Sequence, residues 1–173
     1  VSKGENCTIV FTKPIRQAAF AEQNIKVFVG KKYALTPHCQ PRDSQLNGLK
    51  NFVSNKPDIA TVDNKGIVTA KKAGTCTIKA VAADGEEKPA TCTVVVTTPV
   101  SKISLNRTIA TINAKSSYQM YATVSPYTAT NKNITWKSSN TRVFTVSKTG
   151  KIYGVKAGTA TLTVTANDGS GVK

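Results

Sequence analysis

Apolar and polar residues alternate with a period of two along most of the chain, which predicts short β-strands rather than helices. In the second half, Tyr118, Met120, Ala122 and Val124 form one such run, and Ala160, Leu162, Val164 and Ala166 form another. Ile103 and Leu105, Ile134 and Trp136, and Ile152 mark shorter ones. The first half repeats the pattern at Val27/Val29, Tyr33/Leu35, Phe52, Ile59/Val62, Val68 and Cys76/Ile78/Ala80/Ala82, then adds a last run at Cys92/Val94/Val96. Turn signals such as Thr149-Gly150 and Lys156-Ala157-Gly158-Thr159 separate the runs. Val143 and Val146 are three apart, which breaks the alternation and predicts a bend or bulge. Trp136 is the expected plug of the second core. Short strands with turn signals every ~8–12 residues predict an all-β sandwich.

The pattern is written twice. Shifted by 84 residues, Ser54–Gly85 lies on Ser138–Gly169 without a gap, with 12 of 32 positions identical. Upstream the shift becomes 85, pairing Tyr33 with Tyr118, Leu35 with Met120 and Pro41 with Pro126. The first copy therefore carries one extra residue between Pro41 and Phe52. The copies are expected at residues 1–98 and 99–173, joined by Thr97-Thr98-Pro99-Val100, a β-branched, Pro-containing linker that should be stiff.

Two departures stand out. Between Phe11 and Val29 the first copy has about nine residues more than the second has between Leu105 and Ala114. Pro14, Ile15, Ala18, Ala19 and Glu22 fall at helical spacing, which predicts a short helical insertion near residues 12–24. The second copy stops at Lys173, where its last strand should begin, so a complete last strand is not expected within these residues: either it is cut off here, or that edge is filled by another segment or chain.

The segments that carry the repeat are also the ones that carry a family resemblance. Trp136–Asn140 (Trp-Lys-Ser-Ser-Asn), the Thr-x-Gly turn at Gly150 and the Lys-Ala-Gly-Thr turns at residues 72–75 and 156–159 resemble the bacterial immunoglobulin-like domain, group 2. The likeness covers nearly all of the second copy, and the first from Phe52 to Val96. It implies two tandem Ig-like antiparallel β-sandwiches. It also implies a module found as beads on exported adhesins, envelope proteins, polysaccharide-degrading enzymes and phage virion proteins, where it spaces or adheres.

All four cysteines, Cys7, Cys39, Cys76 and Cys92, lie in the first copy, and none has the close spacing of a zinc or redox site. If the topology is Ig-like, Cys39 and Cys76 lie too far apart to bond, and Cys7–Cys39 is the expected bridge. Four buried free thiols acting as small hydrophobes are the other reading.

Charge adds a possible partner. The net charge is +15. Residues 1–98 carry 14 Lys/Arg against 8 acids, and residues 99–173 carry 10 against Asp168 alone. Such a surface suits a solvated module in an anionic envelope, or contact with an anionic cell-wall polymer. The basic residues are mostly single, with pairs only at Lys31-Lys32 and Lys71-Lys72. Tyr121 and Tyr153 face outward by parity, and Tyr127 falls in a loop; these are the candidate platforms for a polysaccharide or a host surface protein. Nucleic-acid binding lacks a motif and aromatic interleaving, so no specific nucleic-acid partner is expected. No apolar run approaches a membrane span.

Catalysis fits poorly. The second copy has no His or Cys and one acid, so paired-carboxylate chemistry is excluded within it. In the first copy His38 and Cys39 are neighbours on a strand and point to opposite faces, which argues against a dyad. Asp84-Gly85-Glu86-Glu87 offers too few oxygens for calcium and reads with Asp168-Gly169 as hairpin-turn chemistry. The sequence thus predicts no catalytic, cofactor or metal site. It predicts a non-catalytic spacer or adhesion module of an exported bacterial cell-surface or secreted protein, with flanking domains in a longer chain. A polysaccharide- or wall-binding module using the basic surface, and a virion surface display domain, are the alternatives.

Overall fold

A computed structural model describes residues 17–40, 49–82 and 89–173. Among these residues all regular structure is β, and no helix is long and apolar enough to cross a membrane. The chain divides into two compact units, Val1–Val96 and Thr97–Lys173.

In the first unit, β1 (Gln17–Phe20) pairs with β4 (Pro37–Gln40). A four-stranded sheet runs in the order β2 (Asn24–Phe28), β9 (Ala90–Thr97), β8 (Gly74–Ala82), β5 (Leu49–Ser54). A three-stranded sheet runs in the order β3 (Lys32–Ala34), β7 (Ile67–Ala70), β6 (Ala60–Val62). The alternation read from the sequence faces one core: Ile25 and Val27 from β2, Val68 and Ala70 from β7, Cys76, Ile78 and Ala80 from β8, and Ala90, Cys92, Val94 and Val96 from β9. Ile78, Val68, Val94 and Val96 are among its fully buried side chains. Each such aliphatic residue contributes about 1.5–3 kcal/mol by leaving water.

In the second unit, β10 (Lys102–Leu105) pairs with β12 (Ala122–Ser125), and β13 (Ile134–Ser138) with β16 (Leu162–Ala166). A three-stranded sheet runs in the order β11 (Ser117–Gln119), β15 (Lys151–Gly154), β14 (Phe144–Val146). The repeat shifts carry β1, β3, β4, β5, β6 and β7 onto β10, β11, β12, β13, β14 and β15, and the second half of β8 onto β16. Two strands of the first unit, β2 and β9, have no counterpart among the strands of the second. A core cluster of the second unit holds Val100, Ala129 and Ala166 with Ile103, Val124 and Val172 packed against it, and Met120, Ile152 and Val164 are buried in the same unit.

The predicted helical insertion is corrected. Residues 17–20 are a strand, in register with β4 from Gln17 opposite Gln40 to Phe20 opposite Pro37. Its helical spacing is outweighed because pairing occupies the backbone groups and turns Phe20 into the core at 3% exposure. The register also removes the extra residues from this place. Both β1 and β4 lie on their counterparts at one shift of 85, so no insertion separates them. Pro14 and Ile15 lie outside the described residues.

The single extra residue of the first copy is found inside β5. Leu49 and Lys50 pair with Ala82 and Val81, then the register slips and Val53 pairs with Lys79. Asn51 and Phe52 together oppose one residue, a β-bulge, and Asn51 takes the left-handed φ of 53°. The counterpart β13 runs against β16 without a slip.

Candidate functional site

A group of charged residues is assembled from two turns of the first unit. The turn from β2 to β3 closes through Lys31 N–H to the Phe28 carbonyl at 3.0 Å. It is tied to the end of β7 by Gly30 N–H to the Ala70 carbonyl (2.9 Å) and Ala70 N–H to the Lys31 carbonyl (3.0 Å). The next residues, Lys71 and Lys72, both donate N–H to the Ile59 carbonyl, at 2.8 and 3.1 Å. Lys31, Lys32, Lys71 and Lys72 are thus brought to one end of the unit from places 40 residues apart, and all four are exposed. Convergence of this kind concentrates positive potential.

The tyrosines do not converge. Tyr153 lies on β15 opposite Ser117, at 47% exposure. Tyr121 follows β11, four residues beyond Ser117, roughly 13 Å along the strand direction. Tyr127 lies past the far end of β12, next to the cis Ser125–Pro126 bond, and is 83% exposed. They are separate surface residues and form no shared platform. His38 is half-buried on β4 opposite Ala19, and Cys39 follows it opposite Ala18. Cys7 lies outside the described residues, and with it the Cys7–Cys39 bridge. Cys76 and Cys92 are buried free thiols on β8 and β9. Burial, then the nearby Glu22 and Cys76, push the Cys92 thiol up to about 11, so it stays protonated at neutral pH.

Asp168 carries a role the sequence reading did not assign. It is buried at 8% exposure. Its Oδ2 accepts the Val100 N–H at 2.6 Å, and its Oδ1 accepts the Ser170 N–H (2.9 Å) and hydroxyl (2.6 Å). Burial opposes ionisation here, but the bonds from the Ser170 hydroxyl and from the Val100 and Ser170 backbone outweigh it and hold the carboxyl below its ordinary value. The segment read as a linker is part of the same anchor. Thr98 N–H donates to Thr130 Oγ1, Thr130 N–H returns a bond to the Thr98 carbonyl, and Val100 is buried.

Polar residues at and just after the ends of β5, β6, β13 and β14 are bonded to backbone. Ser138 Oγ accepts Asn140 N–H, Asn140 Oδ1 accepts Arg142 N–H, and Ser139 Oγ accepts Thr161 N–H at 2.8 Å. In the first unit Ser54 Oγ accepts Lys56 N–H and Asn55 Oδ1 accepts Thr77 N–H at 2.7 Å. Asp63 and Ser147 each accept two N–H groups of the following turn. At the head of these turns, Gly66 lies against the Phe52 ring and Gly150 against the Trp136 ring.

The model for the bacterial Ig-like domain (group 2) matches residues 16–94 and again 99–173. The chain belongs to this family. Its two group 2 domains are similar to an uncharacterized protein of Clostridium acetobutylicum, at 32% identity over 144 residues, 83% of this chain and 15% of that protein. They are similar to the Ig-like virion protein of Serratia phage KSP90, at 26% identity over 162 residues, 91% of this chain and 62% of that protein. The chain thus spans less than two thirds of the length of either relative. In fold it is similar to the crystal structure of murine CEACAM1b, with a TM-score of 0.52, 14% identity, and coverage of 90% of this chain and 94% of that one. The serine, asparagine and glycine residues described above thus hold strand ends and turns of the two domains.

Proposed function

We propose that the tandem group 2 domains are a non-catalytic structural module displayed on an exported bacterial surface protein or a virion. The observation that carries this reading is the use of the motif residues. Polar side chains at equivalent positions of the two copies, Ser54 and Ser138, then Asn55 and Ser139, accept backbone N–H groups whether or not the residue type is kept, which supports a scaffold role for this repeated segment. The virion relative supports display at a surface. An antibody raised against the chain should label intact, unpermeabilised cells or virions of the source. Labelling that appears only after lysis would overturn the reading.

The lysine cluster favours a second, finer function: contact with an anionic cell-wall polymer or acidic polysaccharide. Four exposed cations gathered on adjoining turns meet the condition that scattered surface lysines do not. Each exposed contact is worth up to ~1 kcal/mol and is screened by salt. The chain should be retained on a teichoic-acid-bearing wall preparation at low salt and released by about 0.5 M salt, where the screening length falls to a few ångströms. Replacing Lys31, Lys32, Lys71 and Lys72 together with Gln should weaken retention roughly tenfold, the sum of several such contacts. Equal retention of the variant would remove these residues from the function.

A further inference from the structure

The outer face of the β11–β15–β14 sheet carries a pattern that the first domain lacks. Tyr153 is on the central strand, with Ser117 of β11 directly opposite on one side and Thr145 of β14 on the other. These three residues are exposed, while Ile152 and Gly154, on either side of Tyr153, are buried. The aromatic ring is thus flanked by two hydroxyl residues at strand spacing, about 5 Å to each side. Lys151, also exposed, is the next outward residue of β15, about 7 Å along the strand. Lys115 is exposed and lies beyond Ser117 in the other direction. Its turn is fixed to β15. Lys115 N–H donates to the Gly154 carbonyl at 2.7 Å, Gly154 N–H donates to the Ser116 carbonyl at 2.9 Å, and a Cβ on Gly154 would meet the Asn113 carbonyl oxygen at 2.8 Å. The row therefore reads cation, ring between hydroxyls, cation.

The fold does not call for this row. The repeat shifts place Lys32, Thr69 and Thr61 at the positions of Ser117, Tyr153 and Thr145, and Ile67 at that of Lys151. The same sheet is thus built in the first domain with threonine at its centre. The charge around the row is one-sided. Asp168, the sole acid of residues 99–173, is buried and bonded to Val100 and Ser170. The Lys and Arg residues of the same stretch are all exposed. Among these residues, all of them described, no acidic side chain is exposed to repel an anion.

We propose that this face is a binding site for an acidic polysaccharide whose sugar rings carry carboxylates. One pyranose ring lies with its C–H face on Tyr153, a flat apolar surface with a polar edge. Its hydroxyls meet Ser117 and Thr145. Carboxylates of that ring or its neighbours pair with Lys151 and Lys115 through charge-assisted bonds. A phosphodiester chain of open polyols satisfies the lysines but has no ring for Tyr153, and a neutral glycan leaves the lysines unused. The site shares with the lysine turns of the first domain only the sign of its ligand's charge, and it stands if those turns bind nothing.

The test is a residue-resolved titration of the full chain, labelled with nitrogen-15, with a galacturonic acid hexamer. The methyl ester of the same hexamer and an inorganic polyphosphate of equal charge are the controls. The acidic hexamer should shift the amides of Ser117, Thr145, Lys151 and Tyr153 saturably, and neither control should do so at Tyr153. Y153T, which gives this position the threonine of the first domain, should weaken binding about tenfold while the Trp136 melting transition is kept. K115Q with K151Q should weaken it similarly and flatten its salt dependence. Absence of saturable shifts along this row at millimolar hexamer, equal binding by Y153T, or saturation of the same row by polyphosphate would overturn the proposal. Shifts confined to Lys31, Lys32, Lys71 and Lys72 would overturn it too, while leaving the reading of those turns intact.

Discussion

Replacing Gly150 with alanine should lower the melting temperature of the second domain by about 10–20 °C, from a loss of roughly 3 kcal/mol. The glycine has φ of 83°, a conformation that costs an L-residue about 1–2 kcal/mol. An added Cβ would meet the Met120 carbonyl oxygen at 2.7 Å and Trp136 Cζ2 at 2.8 Å. The first is backbone, held by Met120 N–H to the Gly150 carbonyl, so it cannot withdraw without disturbing that bond. Trp136 is the chain's only tryptophan, so its fluorescence reports the transition of this domain directly. The equivalent change at Gly66 should cost less, about 1–2 kcal/mol, the backbone cost alone. There the nearest atom is the edge of the Phe52 ring at 3.2 Å, which has more freedom to shift. Equal losses at the two glycines would show that the ring contact does not set the cost.

The second large effect is expected at Asp168. Changing it to Asn keeps the shape but turns an acceptor oxygen into a donor, facing either the Val100 N–H or the Ser170 groups. Bonds to a charged acceptor contribute about 1.5–3 kcal/mol, and that is the expected loss at pH 7 by Trp136 fluorescence. The pH dependence has a defined sign. The folded carboxyl sits below its unfolded value, so its contribution is full above the unfolded carboxylate range and is lost as pH falls through the folded value. The gap between wild type and D168N should therefore be constant near neutrality and close below about pH 4. A gap that persists undiminished at lower pH would mean that the charge is irrelevant and only the shape matters.

Most of the fold was legible because two copies could be laid on each other. Alternation placed Ile78, Val94 and Val164 inside, and a constant shift located the turns at Gly66 and Gly150. What failed was local reading where long-range register decides. Ala18, Ala19 and Glu22 have helical spacing, yet the pairing with β4 takes the segment into a strand. Pairs of lysines separated by 40 residues gave no sign that their turns adjoin; the Gly30–Ala70 and Ala70–Lys31 bonds, with Lys32 opposite Thr69 in the β3–β7 pair, bring them together. Asp168 looked like a turn residue because its neighbour is glycine. Its attachment to Val100, 68 residues away, is invisible to any local pattern. The outward tyrosines were placed correctly by parity on exposed positions, but parity cannot tell whether exposed rings are near one another.

The bulge at Asn51 has a consequence for how such repeats change over time. A residue added to a strand ordinarily exchanges the two faces of everything after it. Here the slip is absorbed between Lys50 and Val53, with Asn51 in a left-handed conformation that asparagine tolerates better than most residues. Phe52 consequently keeps its ring against Gly66, as Trp136 does against Gly150 in the copy without the addition. A one-residue difference in length between the copies is thus accommodated without a phase change in the downstream pattern. Tandem units built this way are free to drift in length at the middle of a strand, as well as in their loops, while the inside and outside of the sandwich stay where they were.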